Sequence, residues 1–253
     1  MLQLTAHGVA SWAEFCCERN MPDFAQFRIL SFDCYGTLID WETGIFGALR
    51  PVLAAHGKDI SDSELLTVYS ELEFEAEQGE FHPYRDVLQS VVRGFGERLG
   101  FKPTDSQIRS LPESLANWKP FPDTVAALRR LKSHYRLAII SNVDDDLFAV
   151  TARHLEVPFD FVITAQQARA YKPSLRIFNL AQERFGVAAK QWLHAGQSIY
   201  HDVVPARSLG IATVWVNRAS PRPGAGAAKA AVGKPDLEVA DLQTLAQTAE
   251  RHF

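Results

Sequence analysis

Cysteine is scarce in this chain. There are three in 253 residues, Cys16, Cys17 and Cys34. That is too few for a disulfide framework, and adjacent cysteines rarely bridge one another, so a reducing, cytoplasmic setting is expected. A basic excess is also missing. Lysine and arginine total 26 against 30 acids, a formal net charge of −4, which leaves no electrostatic footprint for nucleic acid. No apolar run approaches the roughly 20 residues of a membrane-spanning helix, so no membrane partner is expected. Residues 1–26 lack the basic start and apolar stretch of a signal peptide. They read as a flexible N-terminal extension ahead of the first strand. Between residues 41 and 119 no convincing strand is found.

What is present is ordinary for a globular protein: 47% hydrophobic and 22% charged residues. The length suits one core with an insertion. The apolar run Ile29 to Phe32 reads as a buried strand. Asp33 stands at its carboxyl end, and Gly36 and Thr37 turn the chain. Helical spacing follows over 43–56, with Ile45, Leu49, Val52 and Leu53 on one face. Ser61 and Glu64 form a capping-box pattern that opens a helix to about 78. Its acids Glu71, Glu73, Glu75 and Glu77 read as a solvated face. Further helices are expected over 85–99, ended by Gly100, and over 104–117.

From 120 onward strands and helices alternate. Strands are expected at 136–140, 159–164, 191–195, 212–216 and, weakly, 237–239. Helices are expected around Val125, Leu128 and Leu131, then at 144–155, after Lys172-Pro173, at 202–209 and at 241–252. The stretch 221–234, rich in Ala, Gly and Pro, reads as a loop. This alternation predicts an α/β fold, a Rossmann-like doubly wound parallel sheet with an inserted all-helical cap. The core would comprise 27–42 and 120–253, and the cap 43–119.

In such sheets ligands bind beyond the carboxyl ends of the strands. Four polar sites fall there: Asp33 with Thr37, Ser141 with Asn142, Lys172, and Gln197 with Asp202. Taken singly, each has a structural explanation. Asp33, Ser141 and Asn142 suit turns or helix caps, Asp202 suits a first helical turn, and Lys172 suits a surface. Together they bring a carboxylate, small hydroxyl and amide groups, a lysine and a second acid to one crevice.

The order Asp33-Cys-Tyr-Gly-Thr37, Ile140-Ser141-Asn142, Lys172-Pro173 and Gly196-Gln197 through Asp202 resembles the four motifs of the haloacid dehalogenase superfamily. The resemblance spans about residue 28 to the C-terminus. It implies that Asp33 is a nucleophile forming a covalent intermediate. Most of that superfamily are magnesium-dependent phosphatases with a second acid two residues after the nucleophile. Here Tyr35 stands there, and an ordinary phenol with a pKa near ~10 exchanges protons poorly at neutral pH. Gln197 replaces the acid that holds magnesium, a hard cation that favours carboxylates. Asp33 and Asp202 would leave at most weak metal binding.

The pattern looks like the 2-haloacid dehalogenase branch, which needs no metal or other cofactor. The resemblance implies hydrolysis of short (S)-2-haloacids to (R)-2-hydroxyacids. Asp33, Lys172 and Asp202 would be catalytic. Cys34, Tyr35, Thr37, Trp41, Arg85, Ser141, Asn142 and Gln197 would bind substrate or orient the nucleophile. Cys34 as an alternative nucleophile competes with its reading as a small buried hydrophobe. His201, beside Asp202, reads as a base or a polar pocket wall, or as a partly exposed loop histidine.

Two departures stand out. The helix over 64–78 lacks the arginine that better-known relatives carry early in the cap, which leaves Arg85 as the nearest candidate. Phe178 replaces a tyrosine six residues after the lysine. A different leaving group on a small acid, a magnesium-dependent phosphatase and a non-catalytic binding module are the competing readings. A homodimer is an expectation from the resemblance alone.

Overall fold

The computed structural model describes residues 21–218 and 231–253. Cys16 and Cys17, most of the N-terminal extension and most of the 221–234 loop lie outside the described residues. The sheet is built from β1 (Ile29–Phe32), β2 (Arg136–Ser141), β3 (Phe161–Thr164), β4 (Trp192–Gly196), β5 (Ala212–Val216) and β6 (Leu237–Val239). Their order is β3-β2-β1-β4-β5-β6, and every pairing is parallel. The chain steps outward from β1 through β2 to β3, then crosses back to β4. The carboxyl end of β1 is therefore a topological switch point.

Burial on both faces explains the composition of these strands. All four residues of β1 are buried. Along β2, Leu137 and Ile139 join one apolar layer while Ala138 and Ile140 join the other, as period-2 alternation requires. Ser31, His194 and Trp192 place polar atoms inside the second layer, and these satisfy one another. The register sets Phe32 opposite Ile139 and Ala195, so Asp33 emerges level with the ends of β2 and β4.

Between β1 and β2 come the helices α1 (Trp41–Ala55), α2 (Asp62–Ala76), α3 (Tyr84–Leu99) and α4 (Asp105–Ser114). Each start has a physical cause. Asp40 accepts from the Thr43 N–H at 3.2 Å, Ser61 from the Glu64 N–H at 3.1 Å, and Thr104 with Gln107 forms a reciprocal capping box. Pro83, preceding α3, offers no side-chain acceptor. Its place is taken from across the fold by Asp144, whose two oxygens receive the Tyr84 and Arg85 N–H groups at 2.8 and 2.9 Å. That contact ties the helical insertion to the loop after β2.

Three expectations are revised. The acids of α2 do not form one solvated face. Glu71 and Glu75 pair with Arg98 of α3, whereas Glu73 and Glu77 line the space above Asp33. The helix expected over 202–209 opens as a π-helical turn, Ile199–Val203, and continues as Val204–Ser208. The turn is closed by side chains, Ser198 Oγ accepting from the His201 N–H and Asp202 from the Ser198 N–H. Phe24, in the stretch read as flexible, is fully buried beside Phe27 and His252. Burying such a side chain contributes about 1.5–3 kcal/mol.

Candidate active site

Asp33 is the first residue past β1 and is 8% exposed. Its N–H donates to Ala195 O at 3.0 Å, which fixes the backbone to β4. The chain then reverses at Gly36, whose φ of +89° favours glycine. A Cβ there would also meet Trp41 Nε1 at 3.0 Å. The turn brings Thr37 back under the carboxylate. Thr37 Oγ1 donates to Asp33 Oδ2 at 2.8 Å and accepts from the Gln197 N–H at 2.9 Å, joining the ends of β1 and β4.

Lys172 is 2% exposed. Its ammonium donates to Asp33 Oδ1 and Asp202 Oδ1, each at 2.7 Å, and to Ile140 O at 3.0 Å. All three of its protons are used. Its loop is clamped by Asn142, whose Oδ1 accepts from the Lys172 N–H at 2.7 Å while its Nδ2 donates to Lys172 O at 3.3 Å. Asp202 also accepts from His194 Nε2 at 3.2 Å. Gly196 is required beside it, because a Cβ would lie 2.4 Å from the Asp202 carboxyl carbon.

His194 was not among the sequence candidates. Trp192 Nε1 donates to Ser31 Oγ at 2.6 Å, and Ser31 Oγ lies 2.8 Å from His194 Nδ1. The network is satisfied when Ser31 donates to Nδ1 and Nε2–H donates to Asp202. Strand parity is the sequence signal for it: His194 and Trp192 share one face of β4.

The electrostatics follow from burial around one cation. Burial alone would lower the Lys172 pKa, but the charges of Asp202 and Asp33 outweigh it and hold the ammonium above the ordinary lysine range. Burial would raise Asp202, yet Lys172 and His194 pull its carboxyl well below the usual range. Asp33 goes the other way. Burial, with Asp202 adding, raises it above 3.8 despite Lys172 and Thr37. The two carboxylates share one lysine and are unequal.

A small cavity, about 50 Å³, opens over Asp33. Ser141, Asn142, Lys172, Gln197, Ser198, His201 and Asp202 face it from the strand ends. Tyr35, Trp41, Glu73, Glu77 and Tyr84 complete the wall. Trp41 stands edge-on to Tyr69, with ring centroids 6.2 Å apart. Tyr35 shares its hydroxyl with Thr151 Oγ1 at 2.8 Å, and burial pushes the phenol well above its ordinary pKa. It cannot replace an acid. Ser141 is 1% exposed, and its hydroxyl is buried without a partner.

Glu73 and Glu77 continue the i, i+4 line begun by Tyr69. The hydroxyls of Tyr69 and Tyr84 donate to Glu73 Oε1 at 2.8 and 2.6 Å. Asn142 Nδ2 lies 3.5 Å from Glu77 Oε1. Burial raises the Glu73 pKa against its two tyrosine donors. Burial, and then the charge of Glu73, raise Glu77 well above 4.5 against Lys172 and Asn142. The solvated-face reading missed both residues.

Three candidates lie away from the cavity. The Cys34 side chain is fully buried in the core, and burial raises its thiol well above the ordinary range, so it is packing rather than a contact for substrate. Thr37 sits behind Asp33 and touches its carboxylate instead of the cavity. Arg85 places its guanidinium 2.5 Å from Asp146 at the surface, because the Asp144 cap fixes its backbone at the helix start. Phe178 is fully buried, edge-on to His194 at 5.2 Å.

The donor set suits a hard divalent cation poorly. Gln197 brings an amide, Lys172 stands between the two carboxylates, and among the described residues no three His, Cys, Asp or Glu side chains group as metal ligands. Fold and site together define a doubly wound α/β protein with a carboxylate–lysine–carboxylate centre at its switch point.

A family model described as haloacid dehalogenase-like hydrolase matches residues 27–210, and the chain belongs to that family. It is 28% identical over 193 residues to an (S)-2-haloacid dehalogenase, H-109, of Pseudomonas putida, covering 74% of this chain and 84% of the relative. It is 28% identical over 199 residues to haloacetate dehalogenase H-2 of Moraxella sp. (strain B), covering 76% and 87%. The solved L-2-haloacid dehalogenase of Xanthobacter autotrophicus superposes with a TM-score of 0.74 at 20% identity, covering 88% of this chain and 98% of that one. Among the described residues no helix is long and apolar enough to cross a membrane.

Proposed function

We propose that this hydrolase releases halide from short (S)-2-haloacids without a metal, through an ester on Asp33. The observation that carries the reading is the grip on Asp33, whose carboxylate is held by Lys172 and Thr37 at the floor of a small, partly aromatic cavity. The names of the relatives above support the same chemistry.

An Asp33 oxygen attacks C2 of the substrate in line with the departing halide. The C–O bond forms as the carbon–halogen bond breaks, and halide leaves with the bonding pair, so no acid is needed. Tyr35, whose hydroxyl is held by Thr151, is compatible with that requirement. Inversion at C2 gives the (R) configuration. Water then adds to the carboxyl carbon of the ester, the acyl C–O bond breaks, and the 2-hydroxyacid departs with the oxygen Asp33 supplied. One proton is released overall, and Asp33 regains its charge. Lys172 steadies negative charge on the Asp33 oxygens in both steps, and Asp202 keeps Lys172 charged and in place.

Single turnover of (S)-2-chloropropionate in ¹⁸O-water with EDTA present tests this. The first product is expected unlabelled, with one ¹⁸O appearing in the Asp33 peptide. Label in the product and none in Asp33 would mean direct attack by water and would sink the covalent route. Magnesium-dependent turnover of an aryl phosphate, with no halide released, would favour a phosphatase.

A further inference from the structure

We infer that the α2 wall of the cavity is a subsite for a cationic group, and that the preferred substrate is a small zwitterion, a 2-haloacid carrying a protonated amine. The inference rests on the reading of Asp33 as nucleophile and specifies what the rest of the cavity selects.

Four carboxyl groups line this cavity, those of Asp33, Asp202, Glu73 and Glu77, against one lysine and one histidine, His201. Lys172 spends its three protons on Asp33, Asp202 and Ile140 O, leaving none for the wall. Two of the arginines of α3 are committed elsewhere. Arg98 pairs with Glu71 and Glu75, and Arg85 pairs with Asp146. The α2 segment itself, from Asp62 to Ala76, contains no lysine or arginine. Alternate acids of one helix are thus treated differently. Those facing α3 receive an arginine. Those facing the cavity are hydrogen-bonded only by tyrosine hydroxyls and, at 3.5 Å, an amide, while the charge of Lys172 also acts on Glu77. Glu73 and Glu77 are partly buried, and a carboxylate withdrawn from water ordinarily has a cationic partner or holds a proton. Burial is the leading cause of the raised pKa of each, and for Glu77 the charge of Glu73 adds to it.

An independent observation comes from the opposite side of the same cavity. The Ser141 hydroxyl is 1% exposed and has no hydrogen-bond partner. A buried hydroxyl without a partner that lines a cavity can be completed by a ligand atom entering it. A carboxylate oxygen of the substrate suits this hydroxyl, and an ammonium suits the paired glutamates. An unsubstituted haloacid would meet the first requirement and leave the second unmet. It would also carry its negative charge into a cavity whose carboxyl groups outnumber its basic side chains.

Product-like inhibitors test the subsite without a reactive substrate. Inhibition or binding by (R)-lactate and by (R)-3-amino-2-hydroxypropanoate is compared at pH 7.5. The wild-type protein is expected to hold the aminated acid at least tenfold more tightly. In the Glu73→Gln/Glu77→Gln protein that ratio is expected to fall to about one. The wild-type comparison stands even if the double variant does not fold. Equal affinities in the wild type, or a preference that survives in a folded double variant, would overturn the subsite. Halide release by wild type and by Asp33→Asn separates the two readings. Halide release with no preference for the amine defeats the subsite alone, whereas preference for the amine without halide release defeats the haloacid reaction.

Discussion

The floor and the wall of this cavity treat negative charge in opposite ways. On the floor, Asp33 and Asp202 are buried around Lys172, and each carboxylate oxygen has a defined donor. On the wall, Glu73 and Glu77 are partly buried with no cation supplied by their own helix. The floor is a finished ion cluster. The wall is a set of acceptors that a proton or a ligand must complete. A buried ion cluster adds little net stability when intact, yet costs several kcal/mol when one partner is removed. An uncompensated acid behaves in reverse, and neutralising it relieves a cost.

Breaking the floor should give the largest effects. Asp33→Asn removes the attacking oxygen, and halide release is expected to fall by roughly 10⁴-fold or more, read with an ion-selective electrode. Any residual rate within tenfold of wild type would mean that Asp33 is not the nucleophile. Lys172→Met leaves two buried carboxylates facing each other. A loss of about 3–5 kcal/mol in urea unfolding is expected, together with loss of turnover. Thr37→Val deletes a donor to Asp33 and strands the Gln197 N–H. Its expected cost is about 1–3 kcal/mol, measured from the same unfolding midpoints.

Changing the wall should give the smallest effect, with a distinctive pH dependence. The folded-state pKa of Glu77 is raised, so folding favours its protonated form. That contribution is fully present below about 4.5 and is lost as pH rises through the folded value. Glu77→Gln cannot ionise and does not suffer the loss. The variant should match wild type near pH 4 and melt about 2–4 °C higher near pH 8. A melting difference that is the same at both pH values would show that Glu77 carries no such cost, and would blur the contrast between floor and wall.

Much of the floor was legible because its parts lie at strand ends. A short apolar run fixes where a strand stops, and in a parallel sheet that also fixes which end faces ligand. Asp33, Ser141, Asn142, Lys172, Gln197 and Asp202 follow from that logic, and the structure brings them to one cavity. His194 sits inside a strand rather than after it. Its polar role appears only once β4 is set beside β1 and Ser31 is found opposite. The wall was misread for a different reason. Glutamates at 71, 73, 75 and 77 step around a helix at about 100° per residue, so they cannot share one environment. The line Tyr69, Glu73, Glu77 at i, i+4 spacing was a usable signal, since an aromatic on that line marks an inward face.

The sequence by itself determined most local elements: which segments are strands, where most helices begin, and that β1 is followed by a long helical insertion. Periodicity and capping act over a few residues and are written in the chain. It also determined which side chains stand beyond the carboxyl ends of the strands. Only the tertiary structure decided the partners. Asp144 caps a helix some sixty residues earlier in the chain, Lys172 is drawn between Asp33 and Asp202, and Arg98 takes Glu71 and Glu75 while leaving Glu73 and Glu77 to the cavity. Such choices depend on distances between segments far apart in sequence, and Coulomb and hydrogen-bond energies are set by those distances.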